Sequence, residues 1–145
     1  MTQQKATPEF FLVKSLIVKQ QLSQLVHPLK NSIAHLLVIS DFASRSIPLL
    51  LSLLEKDECN ALLSRKAYFD AVAQLNLGQS MPLYSAQVRR FRNTHLLRIL
   101  LLESAGIAST DDSMRSWSDC ADALILHALA YCQKQVSERY GIPRD

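Results

Sequence analysis

The sequence predicts an all-α protein, a helical bundle with two long antiparallel C-terminal helices and several shorter N-terminal helices. Three observations support this fold class. Only three of the 145 residues are glycine, which is too few for the many tight turns of a β-protein. Apolar residues recur every three or four positions through most of the chain. Capping residues precede these stretches, and Gly or Pro follows several of them.

The length and composition indicate one folded domain. A chain of 145 residues is expected to form a single unit, residues 1–145, with shorter helices in 1–80 and a long helical hairpin with a short helix between in 81–145. Hydrophobic residues make up 48% and charged residues 20%, which is ordinary for a folded chain. Neither a signal peptide nor a membrane span is recognisable, so we expect a cytoplasmic protein.

The first 80 residues contain start and stop signals for several short helices. Thr7-Pro8 begins the first helix, and His27-Pro28 ends it. A second helix runs from Leu29 to about Ile39. Gly78 is expected to end the last helix of this half as a left-handed cap. The remaining start signals are Ser40-Asp41, Ser46 with Pro48, and Asp57-Glu58.

The C-terminal half contains two longer patterns. Met81 to Tyr84 is predicted to be a connector. The helix predicted from Ser85 to Gly106 has an apolar face that is too wide to be covered by a single neighbouring helix. Thr110 begins a short helix around Trp117, and Ser118-Asp119 begins the last helix. We expect the two long helices to face each other through Val88, Phe91, Ile99 and Leu102 on the first and Leu124, Ala128, Cys132 and Val136 on the second.

The sequence predicts no catalytic, cofactor-binding or metal-binding residue. Three dispersed glycines do not form a phosphate-binding loop. The adjacent Asp111 and Asp112 are interpreted as helix-start residues, because neighbours on a helix point in different directions. Four histidines lie in separate segments without a second ligand at helical spacing: His27, His35, His95 and His127. Three cysteines are expected to be buried and reduced: Cys59, Cys120 and Cys132.

Four arginines have two possible roles each. Arg89, Arg90 and Arg92 are expected to form a solvated or ion-paired helix face, and the alternative is a nucleic-acid-binding face. Arg98 lies among apolar residues, where a guanidinium is costly unless it is paired. A phosphate or carboxylate of a partner domain is one possible partner. The favoured partners are carboxylates within the chain: Asp41, Asp119 and Asp122.

Residues 39–45, 87–99, and 117–129 together with 139–143 form three sequence blocks. In order and spacing these blocks resemble the helical segment that precedes the nucleotidyltransferase core in the glutamine synthetase adenylyltransferase/adenylyl-removing enzyme family. Gln87-Val-Arg-Arg-Phe-Arg-Asn-Thr-His-Leu-Leu-Arg-Ile99 is similar to the family's L-R-R-F-R-R-R-x-x-L-R-I helix. Trp117-Ser-Asp-Cys-Ala-Asp-Ala-Leu-Ile-Leu-His-Ala-Leu129, with Arg139-Tyr-Gly-Ile-Pro143 after it, is similar to the family's next helix and its R-Y-G-x-P ending. Ile39-Ser-Asp-Phe-Ala-Ser-Arg45 resembles an upstream x-S-D-F-V-x-x element.

The resemblance implies a non-catalytic helical N-terminal domain that supports the regulation of glutamine synthetase by reversible adenylylation. In the family, the G-x-x-K-L-G-x-x-E-L-N-x-S-S-D-I-D-L motif of the following core binds the metal ions, so ATP and Mg²⁺ are implied for the full-length enzyme. Asp145 precedes any such motif, and we therefore expect no enzymatic activity of this chain alone. The implied partners are the nucleotidyltransferase core, glutamine synthetase and PII-type signalling proteins. Neither a nucleic acid nor a membrane is expected as a partner.

A second hypothesis is a free-standing helical module that binds a partner protein. An exposed apolar patch fits both hypotheses, because it can cover a core domain or a partner helix. A third is the nucleic-acid-binding domain that uses Arg89, Arg90 and Arg92, for which steeply salt-dependent binding is diagnostic.

Overall fold

The computed structural model describes residues 28–56 and 60–144. These residues contain no strand, which confirms the all-α prediction. The helix predicted from Thr7 to His27 and the start signal at Asp57-Glu58 lie outside the described residues. The described helices are α1 (Lys30–Ile39), α2 (Asp41–Arg45), α3 (Ile47–Glu55), α4 (Arg65–Val72), α5 (Met81–Ser104) and α6 (Thr110–Tyr140).

The three short helices α1 to α3 follow the predicted start signals. The Ser40 hydroxyl accepts a hydrogen bond from the Ala43 backbone N–H at 3.2 Å and caps α2. Pro48 lies in the first turn of α3, where its missing N–H leaves no helical bond unmade. Their buried residues pack against Leu97 and Leu101 of α5 and include Ile33, Leu36, Ala43, Leu50 and Leu53.

The helix α4 is shorter than predicted. It begins after Ser64, whose hydroxyl accepts from the Ala67 N–H at 3.2 Å, and it ends at Val72. The prediction that Gly78 is a left-handed cap is wrong, because among the described glycines only Gly106 and Gly141 have a positive φ. Gly78 instead donates its N–H to the Asn76 side-chain oxygen at 2.7 Å, which forms a local turn between α4 and α5.

The helix α5 begins earlier than predicted and ends where predicted. It starts at Met81, so the segment predicted as a connector is its first turn. Its C-terminus is closed by two backbone bonds, from Gly106 N–H to the Glu103 carbonyl and from Ile107 N–H to the Leu102 carbonyl, both at 3.0 Å. This pair of hydrogen bonds requires a residue in the left-handed conformation after the helix, and Gly106 adopts it with a φ of +72°.

The last helix is continuous from Thr110 to Tyr140, so the predicted separate short helix around Trp117 is not formed. The Ser109 hydroxyl caps it by accepting the Asp112 N–H at 3.1 Å, one residue before the predicted cap. The Ser118 hydroxyl does not cap a new helix, because it donates to the Met114 carbonyl within α6 at 3.0 Å.

The helix α5 lies between two hydrophobic clusters. Its C-terminal half packs against α1 to α3 through Leu97 and Leu101. Phe91 packs against a second cluster, which α4 and α6 form with Tyr68, Val72, Cys120 and Ala123. Neighbours on both sides explain the wide apolar face that the sequence contains.

The contacts between α5 and α6 fix their relative direction. The ring of Tyr84, in the first turn of α5, stacks on the ring of Tyr131 near the end of α6, with 3.8 Å between the centroids. The opposite ends of the two helices are joined by the five residues 105–109. The start of α5 therefore lies beside the C-terminal part of α6.

Candidate functional site

The helix α6 has apolar residues on two opposite sides. Its buried side faces α4 and α5 and carries Ser113, Ser116, Cys120, Ala123 and Tyr131. Its other side carries a row that we call the outward stripe: Met114, Ile125, Leu129, Cys132 and Val136. Steps of 11, 4, 3 and 4 residues return to nearly the same side of an α-helix. The row is contiguous from Ile125 to Val136, and exposed Ser118 separates this part from Met114.

The outward stripe is largely open to solvent. The exposed fractions of its large side chains are 66% for Met114, 64% for Ile125, 52% for Leu129 and 56% for Val136. The contiguous part, from Ile125 to Val136, extends about 17 Å at 1.5 Å per residue. A single exposed apolar side chain is ordinary, but a contiguous row of them marks an interaction surface. The outward stripe is therefore the candidate functional site.

Two residues of this stripe were predicted to lie on the opposite side of α6. Cys132 and Val136 were expected to face α5, and both are exposed. Tyr131, one position away from Cys132, is fully buried and contacts α5 instead. A second helical repeat, through Ser113, Ser116, Cys120 and Ala123, was the signal for the buried side, and its small polar members concealed it.

A buried polar cluster joins α4, α5 and α6. The hydroxyls of Tyr68 and Ser116 are hydrogen-bonded at 2.7 Å, and the Tyr68 ring meets the His95 ring edge to face at 5.1 Å. The Arg98 guanidinium donates to Nδ1 of His95 at 3.1 Å, so this ring nitrogen carries no proton. Burial, together with the positive charge of Arg98, lowers the pKa of His95 to about 4.

The predicted partners of Arg98 were wrong. Asp119 and Asp122 both pair with Arg65, at 3.0 and 2.7 Å, and hold α4 against α6. Asp41 lies 3.9 Å from Arg45 on the exposed side of α2. Arg98 is nevertheless buried, with 5% of its surface exposed. His95, and none of these three aspartates, is among its hydrogen-bonding partners.

His127 supports the packing of α5 on α6. Its Nδ1 lies 2.8 Å from the Tyr84 hydroxyl, and its ring stacks on the Tyr84 ring. Burial lowers its pKa, although a backbone hydrogen bond to Leu75 opposes that change. The Tyr131 hydroxyl donates to the Gln79 carbonyl at 2.8 Å and fixes the segment before α5. His35 is exposed on α1, and His27 lies outside the described residues.

Asp111 and Asp112 lie exposed in the first turn of α6, where their charge favours the positive end of the helix. In residues 28–56 and 60–144, no group of three or more His, Cys, Asp or Glu side chains is arranged to hold a metal ion. No helix in these ranges is long and apolar enough to cross a membrane.

The cysteines differ in exposure. Cys120 is buried and burial raises its pKa to about 11, whereas Cys132 is exposed in the outward stripe, so its predicted burial was wrong. Cys59 lies outside the described residues.

We expect iodoacetamide at pH 8 to modify Cys132 at least about 100-fold faster than Cys120, because the thiolate is the reactive form and Cys120 is both protonated and covered. Peptide mass spectrometry at timed intervals measures both rates in one sample. The variant Cys132→Ser controls for assignment, and equal rates at the two positions contradict the described burial.

The three clustered arginines project from α5 into solvent, as expected. Arg89, Arg90 and Arg92 are all exposed, and Arg92 donates hydrogen bonds to the side-chain oxygen of the adjacent Asn93. No carboxylate of residues 28–56 or 60–144 forms a salt bridge with Arg89 or Arg90. Among the described residues, Arg89 and Arg90 are therefore solvated and not ion-paired.

Comparison with known proteins assigns the chain to a family. The family model described as glutamate-ammonia ligase adenylyltransferase matches residues 26–145, which include α1 to α6 and the outward stripe. No curated protein and no solved structure matches the chain. Because the family model matches more than half of its length, the chain belongs to the glutamate-ammonia ligase adenylyltransferase family.

Proposed function

We propose that this chain is a non-catalytic helical domain of a glutamine synthetase adenylyltransferase/adenylyl-removing enzyme, and that it supports the regulation of glutamine synthetase by reversible adenylylation. The outward stripe of α6 is the surface on which the nucleotidyltransferase core packs. One observation carries this proposal. Four apolar side chains on the same side of α6 are each more than half exposed, and α6 lies within the residues that the family model matches: Met114, Ile125, Leu129 and Val136.

The packing of α6 supports this assignment. An α-helix that is apolar on opposite sides is typically covered on both sides. In α6, the described helices α4 and α5 cover one side only, through Tyr68 and Tyr84 among others. Covering the outward stripe removes apolar surface from water at about 25 cal/mol per Å², which favours a stable contact.

The proposed partners and cofactors follow from the family. Glutamine synthetase is the substrate protein and PII-type proteins are the regulators. ATP and Mg²⁺ act in the nucleotidyltransferase core and not on this chain. The proposed location is the cytoplasm, where these partners act.

A binding experiment tests the packing. The chain is titrated with a separately expressed nucleotidyltransferase core of a family enzyme, and binding is followed by calorimetry. Ile125→Asp and Leu129→Asp are expected to weaken binding by about 10- to 100-fold, since each places a charge in an apolar contact. Ala130→Asp is the matched control, because Ala130 is exposed on the same helix but is not three or four residues from any member of the stripe. Equal affinities of all variants, or no binding of the parent chain, contradict the proposal.

An activity assay tests the non-catalytic role. The chain is incubated with adenylylated glutamine synthetase, phosphate and Mg²⁺, and ADP release is measured against a sample without the chain. We expect equal ADP in the two samples. Release above the control refutes the non-catalytic assignment.

The second candidate function is a free-standing helical interaction module. The same outward stripe favours it, because an amphipathic helix from another protein can cover an apolar row of this length. The titration separates the two functions, since a free-standing module does not recognise the core. The nucleic-acid hypothesis predicts instead that oligonucleotide binding falls steeply with salt and depends on Arg89, Arg90 and Arg92.

A further inference from the structure

A second surface feature, separate from the outward stripe, is an open cleft between α3, the segment before α5, and α5 itself. Its volume is about 260 Å³. We call it the α3–α5 cleft. Its apolar lining consists of Leu49 and Leu53 from α3, Leu75 from the intervening segment, and Phe91 from α5.

The rim of the α3–α5 cleft is positively charged. Lys56, directly after α3, and Arg90, on α5, both line it, and both are exposed. None of the described residues that line the cleft is acidic. Neither Lys56 nor Arg90 forms a salt bridge with a carboxylate in the part of the chain that the structure describes. Within the described residues, two cations thus flank an apolar depression, and neither is paired with a carboxylate.

The size of the cleft favours a polypeptide side chain over a free small molecule. Sites for drug-sized ligands and cofactors usually enclose about 300–1,000 Å³ and cover most of the ligand. A cleft of about 260 Å³ that opens to solvent accommodates a large apolar side chain whose backbone remains outside. Carboxylates near that side chain can then reach Lys56 and Arg90.

We propose that the α3–α5 cleft binds a protein segment in which a large apolar side chain is flanked by Asp or Glu residues. The apolar side chain enters between Leu53 and Phe91, and the carboxylates pair with Lys56 and Arg90. This surface lies on other residues than the outward stripe, so the partner can bind while that stripe is covered.

Charge complementarity separates this occupant from the alternatives. The chain's own residues 1–27 carry three lysines, Lys5, Lys14 and Lys19, against the single Glu9, and therefore have the same sign as the rim. A nucleic acid is complementary in charge, but its backbone needs a basic path along several phosphates. The lining of this cleft has two cations and an apolar centre.

A selection from random peptides tests the proposal with a defined probe. A phage library of random 12-residue peptides is panned on the immobilised parent chain at low salt, and enriched peptides are synthesised with a fluorescent label. Anisotropy then gives their affinities. We expect enriched sequences with an aromatic residue or Leu next to two or more acidic residues. Replacing the apolar residue by Ser, or the acidic residues by Lys, should abolish binding.

Variants locate the binding site. Arg90→Glu and Lys56→Glu should each weaken peptide binding by about tenfold or more, because each reverses a charge at the rim. Arg89→Glu is the matched control, since it makes the same change in net charge next to Arg90 but does not line the cleft. It should weaken binding by less than about threefold, through long-range charge alone. Circular dichroism confirms that each variant remains helical.

Each other outcome overturns the proposal. A library that yields no binder, or binders without acidic residues, contradicts it. Peptides that lose affinity with Ile125→Asp but not with Arg90→Glu occupy the outward stripe of α6. Self-association that Arg90→Glu abolishes assigns the cleft to a second copy of the chain. An oligonucleotide that binds more tightly than every peptide and depends on Lys56 and Arg90 assigns it to nucleic acid.

Discussion

Tyr68→Ala is expected to lower the free energy of unfolding by about 3–5 kcal/mol. Tyr68 is fully buried, packs with Val72, Cys120 and Ala123, and joins α4 to α6 through its hydroxyl. Alanine leaves a cavity in this cluster, and the buried Ser116 hydroxyl loses its hydrogen-bonding partner. Urea denaturation followed by circular dichroism measures the change.

The control for this substitution is Tyr140→Ala at the end of α6. The Tyr140 side chain is 74% exposed, so the same chemical change should alter the free energy of unfolding by no more than about 0.5 kcal/mol. If Tyr68→Ala and Tyr140→Ala unfold at the same urea concentration, the cluster between α4, α5 and α6 is not the core described above.

The stability of the domain is expected to fall as the pH is lowered from about 6.5 to about 4, through His95. The pKa of His95 is about 4 in the folded chain and 6.5 in the unfolded chain. The unfolded state therefore binds more protons in this range, and the free energy of unfolding rises with pH. The full contribution is about 3 kcal/mol, present above pH 6.5 and lost at pH 4.

A comparison of the parent with His95→Gln isolates this contribution. Carboxylates and His127, whose pKa burial also lowers, titrate in both proteins, so their effects cancel in the difference. Free energies of unfolding are measured by urea denaturation at half-unit pH steps between 4 and 7.5. We expect the difference between the parent and His95→Gln to grow with pH up to about 6.5. If the free energies of unfolding of the parent and of His95→Gln differ by the same amount at every pH, His95 is not buried in its neutral form.

The helix ends that depend on local chemistry could be predicted from the sequence. Ser40 caps α2 with its own hydroxyl, and Gly106 supplies the left-handed residue that closes α5. The position of Phe91 was only partly predictable. It was assigned to the core between the two long helices, and it lies partly buried at the α3–α5 cleft. A partly exposed ring contributes less apolar burial than the fully buried Tyr68.

The features that depend on distant residues could not be predicted. Ser118-Asp119 has the composition of a helix start, but Asp119 pairs with Arg65, 54 residues earlier in the chain, and α6 continues. Cys132 and Val136 were recognised as part of an apolar face, yet periodicity alone does not tell which of two apolar sides of α6 meets α5. The α3–α5 cleft combines residues of three separate segments, and no local pattern indicates it.

The most direct test of the central claim, that the outward stripe is the surface for the nucleotidyltransferase core, is the alkylation rate of Cys132 with and without that core. Cys132 lies within the stripe and is exposed in the chain alone. With the core at a saturating concentration, fixed by the calorimetric titration, we expect alkylation of Cys132 to slow by about tenfold or more, because the thiol is covered. An unchanged rate while the core is bound contradicts the claim and places the core on another surface.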